Sequence, residues 1–173
     1  IIMGVHDFSI NPKIEDLKKL EKPSESEVLE AVKTLLRWTG DNPDRDGLKD
    51  TPKRVLKAYG EWFKGYDENP TALLSKTFEE VQGYNDWVVL DSIRVESYCE
   101  HHLAPIIGVA KVGYLPDGLV VGISKLVRVV NAYSKRLQIQ ERLTREIGLA
   151  IHETLNPKGV AVAIKAEHHC MCT

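Results

Sequence analysis

The sequence has little cysteine, and this scarcity excludes a disulfide-rich scaffold. The 173 residues include only Cys99, Cys170 and Cys172, an odd number and far too few for such a framework. Long apolar runs are also absent, because no segment approaches the roughly 18 residues that span a bilayer. The N-terminus lacks the basic-then-apolar pattern of a secretory signal. We therefore expect a cytoplasmic protein that has no membrane partner.

Neither sign of charge is in excess. The chain has 23 Lys and Arg against 25 Asp and Glu, a formal net charge of −2, so nothing global points to nucleic acid and any anion site must be local. The composition is that of an ordinary soluble globular protein, and this length fits one domain. We expect an N-terminal arm at residues 1–23, with a short helix at 14–20, and a single domain at residues 24–173.

Hydrophobic spacing predicts an α+β fold without internal repeats. Helices are predicted at residues 24–40, 52–65, 124–136 and 138–155, with a short segment near 71–75. Strands are predicted at residues 87–97, 106–115 and 160–172, with a brief segment at 119–123. Ser24 with Glu27 forms a capping box, Thr51-Pro52 begins the second helix, and Ser124 is expected to cap the third. This order favours a small, largely antiparallel sheet with helices on one face, whose open edges favour an oligomer.

All three cysteines and four of the six histidines fall in two short clusters. Cys99-Glu-His-His102 follows the first strand, and His168-His-Cys-Met-Cys172 lies on the last. Thiolate and imidazole suit Zn²⁺, and a tight turn can aim Cys99 and His102 at one ion. Alternate residues of a strand share a face, which makes Cys170 the third ligand, with His168 beside it. Three protein ligands plus a water is the arrangement of a catalytic zinc.

Two alternatives for this cluster stay open. An interaction protein with a closed structural zinc would use Cys99, His102, Cys170 and Cys172 as four ligands, but it would leave two neighbouring histidines unexplained. A zinc nucleobase deaminase also uses histidine and cysteine ligands. Its H-x-E and P-C-x-x-C patterns are absent from the sequence.

Two helix starts carry polar residues that suit a nucleotide. Ser124-Lys125-Leu-Val-Arg128 combines a hydroxyl, free backbone N–H groups and two cations, which suits phosphate; a solvated basic face is the alternative. Gln140 and Glu141 lie near the start of the next predicted helix, which begins at Gln138, as either solvent-facing residues or readers of a base. A buried glutamate can accept two parallel hydrogen bonds from guanine, a pair of donors that adenine lacks.

The combined motifs resemble the GTP cyclohydrolase I family over nearly the whole chain after the arm. They are C-E-H-H from residue 99, G-x-S-K-x-x-R from 122, Q-x-Q-E-R-L-T from 138 and H-x-C-M from 168. The resemblance implies a zinc enzyme that converts GTP and water to formate and 7,8-dihydroneopterin triphosphate, the first step of folate and pterin biosynthesis. It also implies the tunnelling fold, an antiparallel sheet with two long helices on one face plus N-terminal helices, assembled as a homodecamer of two pentamers with sites between subunits.

The resemblance also implies a role for each matching residue. The zinc ligands are Cys99, His102 and Cys170. The catalytic histidines are His101 and His168, with His168 exchanging a proton with the purine nitrogen. The triphosphate is held by Arg54, Ser124, Lys125 and Arg128, and the guanine edge is read by Gln140 and Glu141. Because family members continue past this point with another phosphate-binding arginine, we expect the chain to be truncated at Thr173.

Overall fold

The computed structural model describes residues 21–78 and 86–172. The helix predicted at 14–20 and most of the predicted arm lie outside these ranges. The described residues form two compact units, a helical unit that ends at Trp62 and a sheet unit that begins at Phe63. In the described ranges, no helix combines the length and the apolar character that a membrane crossing requires.

The element bounds follow the predicted order closely. The helices are α1 (Glu25–Trp38), α2 (Thr51–Trp62), α3 (Pro70–Leu74), α4 (Ile123–Ser134) and α5 (Gln140–Leu155). The strands are β1 (Thr77–Phe78), β2 (Val88–Cys99), β3 (Pro105–Leu115), β4 (Val120–Val121), β5 (Leu137–Gln138) and β6 (Gly159–His168). The described residues also contain two 3₁₀ turns, Lys64–Asp67 and His169–Met171.

The helical unit begins with the capping box that the sequence predicts. The Ser24 hydroxyl accepts a hydrogen bond from the Glu27 N–H, and the Glu27 carboxylate accepts one from the Ser24 N–H at 2.8 Å. Helix α2 begins at Thr51, one residue before the predicted start at Pro52, and it ends at Trp62 rather than Gly65. The chain continues instead into the 3₁₀ turn that contains Gly65.

The sheet unit contains a four-stranded sheet with the order β5-β2-β3-β6. Strands β2, β3 and β6 are antiparallel neighbours, whereas the two-residue β5 pairs parallel with β2, and β1 and β4 form a separate pair. The α+β prediction and its three long strands are confirmed. The sheet is mixed because Gln138, predicted to begin the last long helix, lies in β5, and α5 begins at Gln140.

The core lies between one face of the sheet and helices α4 and α5. Its side chains from β2, β3 and both helices are fully buried, and examples are Val95, Val112, Leu126, Val129, Ile147 and Ile151. The sheet also exposes Val89, Ile107 and Val109. Two long helices on one face are therefore confirmed, and the exposed apolar side chains lie on the strands away from this core.

Two predicted boundaries near the candidate site are wrong. Helix α4 is capped by Gly122, so Ser124 lies inside the first turn and is not the cap. The last strand ends at His168, where its ladder with β3 also ends, opposite Ile106. The preceding residue of β3 is Pro105, which has no N–H to continue the ladder. The alternation rule used to select Cys170 therefore does not apply beyond His168.

Candidate metal centre

A tight turn after β2 carries the first two candidate ligands. The Cys99 N–H donates to the Ala104 carbonyl and the Leu103 N–H donates to the Cys99 carbonyl, both at 2.8 Å. Leu103 adopts a left-handed φ of 56° to close the turn. This places the Cys99 Sγ 3.7 Å from the His102 Nδ1. Thiolate and imidazole ligands of one tetrahedral zinc lie about 3.5 Å apart. The C-x-x-H spacing therefore brings these two donors to a separation that suits one ion, as predicted.

Cys170 completes a group of three donors. The ligand atoms of Cys99, His102 and Cys170 all lie within 4.8 Å of one another, and no second group of this kind occurs within residues 21–78 and 86–172. Cys99 is buried, Cys170 is half-buried and His102 is exposed. Two thiols and an imidazole at these separations fit Zn²⁺ with an open fourth position. Cys172 is not in the group, and its thiol donates to the His168 carbonyl at 3.2 Å.

The donors already interact with one another electrostatically. The His102 side chain is the main cause that lowers the pKa of the Cys99 thiol to about 7. Desolvation, followed by the hydrogen bond to Cys99, raises the pKa of the Cys170 thiol. Because the thiolate is the form that binds metal, Cys99 is prepared for ligation near neutral pH. Cys170 must release its proton when a metal binds.

The remaining histidines of the two clusters lie beside this group along the chain. His101 is exposed, and its Nε2 lies 3.7 Å from the Glu100 Oε1. The His168 Nε2 lies 2.9 Å from the Gln140 Oε1, and the Gln140 Nε2 donates to the Ile164 carbonyl at 3.0 Å. Since that carbonyl can only accept, the Gln140 oxygen faces the histidine and accepts its Nε2 proton. Gln140 thus orients His168.

The residues predicted to bind a nucleotide occupy three places. Ser124, Lys125 and Arg128 lie in the first two turns of α4, where Ser124 and Arg128 are exposed and Lys125 is half-buried. Glu141 is exposed in the first turn of α5. Arg54 lies on α2 in the helical unit, where it forms a loose ion pair with Asp50 at 3.9 Å.

Sequence reasoning missed a polar network beside the turn of residues 99–104, which we call the metal turn. Arg142 donates to the Glu100 carboxylate, and its Nε donates to the Gln138 Oε1 at 3.0 Å. Gln138 is fully buried and donates to the Glu146 carboxylate at 2.8 Å. Burial raises the pKa of Glu146 above its ordinary value. One signal in the sequence could have indicated this network. Arg142 is a cation near the start of a helix, where it opposes the helix dipole and therefore needs a partner.

Comparisons with known proteins agree on one family. A family model described as GTP cyclohydrolase I matches residues 28–173. The GTP cyclohydrolase 1 of Maricaulis maris is 60% identical over 152 residues, which cover 88% of this chain and 74% of that protein. The GTP cyclohydrolase 1 of Hyphomonas neptunium is 58% identical over 154 residues, 89% of this chain and 75% of that protein. The protein of the same name from Brucella abortus is 55% identical over 151 residues, 87% and 71% respectively.

Proposed function

The chain belongs to the GTP cyclohydrolase I family and is an enzyme of that type, and we propose that it uses Zn²⁺ to convert GTP and water into formate and 7,8-dihydroneopterin triphosphate. The observation that carries the proposal is the group formed by Cys99, His102 and Cys170. A zinc ion held there supplies Lewis-acid chemistry and activates water near neutral pH. This reaction opens the guanine ring at C8 and begins folate and pterin biosynthesis.

Two histidines beside the metal ligands are proposed to move protons. Gln140 accepts a hydrogen bond from the His168 Nε2, which leaves the Nδ1 of that ring to exchange a proton with the purine nitrogen. His101 is a second acid–base group and faces the Glu100 carboxylate. Histidine suits both roles because its ordinary pKa lies near neutral pH.

The substrate is proposed to lie across the starts of two helices. Ser124, Lys125 and Arg128 of α4 hold the triphosphate, which a helix N-terminus also attracts through its free N–H groups. The Glu141 carboxylate, with Gln140, reads the guanine N1–H and exocyclic amine at the start of α5.

A homodecamer of two pentamers, with sites between subunits, completes the proposal. Strand β6 is an edge of the four-stranded sheet, and such an edge is available for pairing with a second copy. The sheet also exposes Val89, Ile107 and Val109. Within such an assembly Arg54 reaches the triphosphate of a neighbouring subunit. A cytoplasmic location stays a prediction.

Incubation of the zinc-loaded protein with GTP tests the proposed reaction. Formate and a fluorescent pterin, the latter detected after oxidation, are the expected products, and their absence from fully loaded protein would refute the proposal. Ammonia in place of formate would instead support a deaminase. We expect His168→Ala to retain zinc and to lower turnover about 10²–10⁴-fold, the usual contribution of a general acid–base group. His169→Ala, which alters an exposed histidine next in the chain, is the matched control.

A further inference from the structure

Arg142 lies where a cation is electrostatically disfavoured. It is the third residue of α5, whose preceding residue Ile139 provides no side-chain cap, and the positive end of the helix dipole lies at this turn. The side chain is nevertheless only 33% exposed. Because a surface arginine would extend into water, this burial indicates that specific partners hold the guanidinium.

The partners of Arg142 come from two segments that precede α5. Its Nη2 donates to the Glu100 carboxylate in the metal turn and to the Leu137 carbonyl of β5, the latter at 3.0 Å. Its Nε donates to the side-chain oxygen of Gln138, also at 3.0 Å. The planar guanidinium can serve these acceptors together, which the single nitrogen of a lysine does less well.

Gln138 makes this arrangement rigid. It is fully buried, and its amide nitrogen donates to the Tyr133 carbonyl at 3.0 Å and to Glu146 at 2.8 Å. Its backbone carbonyl accepts the N–H of Glu100 at 3.1 Å. Glu100 is therefore held at its backbone by Gln138 and at its side chain by Arg142.

Glu100 connects this network to the candidate metal ligands. It follows Cys99 directly in the chain, and its second carboxylate oxygen lies 3.7 Å from the His101 Nε2. A displacement of the Glu100 backbone therefore also shifts Cys99 and His101, its two neighbours in the chain. We propose that Arg142, acting through Glu100, is a positioning residue that holds the turn of Cys99 and His102 in its metal-binding geometry and directs His101. The part that concerns His101 rests on the proposed function, whereas the part that concerns the metal does not.

Metal binding to the full chain tests the proposal without reference to turnover. Co²⁺ is titrated by its absorbance, and Zn²⁺ affinity is measured by competition with a chelator, in the parent, Arg142→Lys, Glu100→Gln and the double variant. Arg142→Lys keeps the positive charge but loses the planar guanidinium that serves Glu100 and Gln138 together, and Glu100→Gln keeps the size of the side chain but removes its negative charge. Arg45→Lys is the matched control, because Arg45 pairs with Asp41 at 2.7 Å on the surface of the helical unit.

We expect each single variant to weaken Zn²⁺ binding by about 10–100-fold, the usual effect of removing a group that supports a metal ligand. The double variant should bind no more weakly than the weaker single variant, since both changes act on the contact between Arg142 and Glu100, and Arg45→Lys should match the parent. Parent-like affinity in both single variants, or losses that multiply in the double variant, would overturn the proposal. Should Arg142→Lys fail to fold, Glu100→Gln decides alone, because it leaves the other contacts of Arg142 in place.

Two further measurements separate positioning from general stability. A merely structural role predicts a lower thermal unfolding temperature of the metal-free variants with parent-like metal affinity, and that combination would also overturn the proposal. At saturating Zn²⁺, we expect kcat to fall while the KM for GTP stays unchanged, since no phosphate- or guanine-binding residue is altered. If the parent binds Zn²⁺ but releases no formate from GTP, the proposed function fails, and the metal-binding comparison still decides the role of Arg142.

Discussion

Replacement of Gln138 by leucine is expected to destabilise the sheet unit strongly, although leucine has a similar volume. The Gln138 side chain is fully buried and forms hydrogen bonds with Arg142, Glu146 and the Tyr133 carbonyl. Leucine leaves these groups without that partner, and a stranded polar group costs about 1–3 kcal/mol. Arg142 keeps two other acceptors, so we assign about 1 kcal/mol to it, about 2 kcal/mol to the half-buried Glu146 and about 1 kcal/mol to the Tyr133 carbonyl. The expected loss is about 4 kcal/mol in the free energy of unfolding.

Urea unfolding of the metal-free protein measures this loss, with parent and variants compared at equal protomer concentration because association shifts apparent stability. The double variant Gln138→Leu/Glu146→Met tests the physical reason. Replacing both hydrogen-bonding partners by apolar groups is nearly neutral compared with stranding one of them, so the double variant should be more stable than Gln138→Leu alone. A double variant that is less stable than the single one would refute the reasoning and indicate a packing defect instead.

Three further predictions address the pH dependence, the base site and the fold. Burial raises the pKa of Glu146 in the folded state, so the folded state binds more protons than the unfolded state. The free energy of unfolding therefore falls as pH rises from the unfolded pKa of this group through its folded pKa. Glu146→Gln should abolish that fall when urea unfolding is measured against pH, and an unchanged profile would contradict the prediction. Glu141→Ala should weaken GTP binding in calorimetry, whereas the exposed Glu153→Ala on the same helix should not, and equal affinities would remove Glu141 from the base site. Gly65→Ala should lower stability by about 1–3 kcal/mol, because a Cβ there would lie 2.1 Å from the Ala132 carbonyl oxygen, and parent-like thermal unfolding would contradict it.

Local features of the sequence predicted the elements that depend on local physics. The capping box at Ser24, the order of helices and strands and the C-x-x-H turn are each decided by residues that are close together in the chain. The three metal donors were predicted together, and the structure places them together. Cys170 was selected by strand alternation, however, and this reason is wrong because a 3₁₀ turn carries that residue.

Features that depend on long-range pairing were not predictable in this way. Gln138 fits a helical pattern, but its pairing with Cys99 across the sheet places it in β5. The contact between Arg142 and Glu100 joins residues 42 positions apart, and no periodicity reports such a contact. The hydrogen bond between Gln140 and His168 joins residues 28 positions apart, and local sequence patterns do not predict it either. The sequence patterns therefore identified the three grouped donors better than the network that surrounds them.

Zinc content per protomer in Cys170→Ala and Cys172→Ala tests the central claim most directly. Cys170 lies within the three-donor group, whereas the Cys172 thiol donates to a backbone carbonyl outside it. After dialysis against a moderate chelator, we predict that Cys172→Ala retains one zinc ion per protomer, as the parent does, and that Cys170→Ala loses it. Loss of zinc from both variants would indicate a closed four-ligand site. Retention in both would show that Cys170 is not a ligand, and either result would contradict an open catalytic zinc held by Cys99, His102 and Cys170.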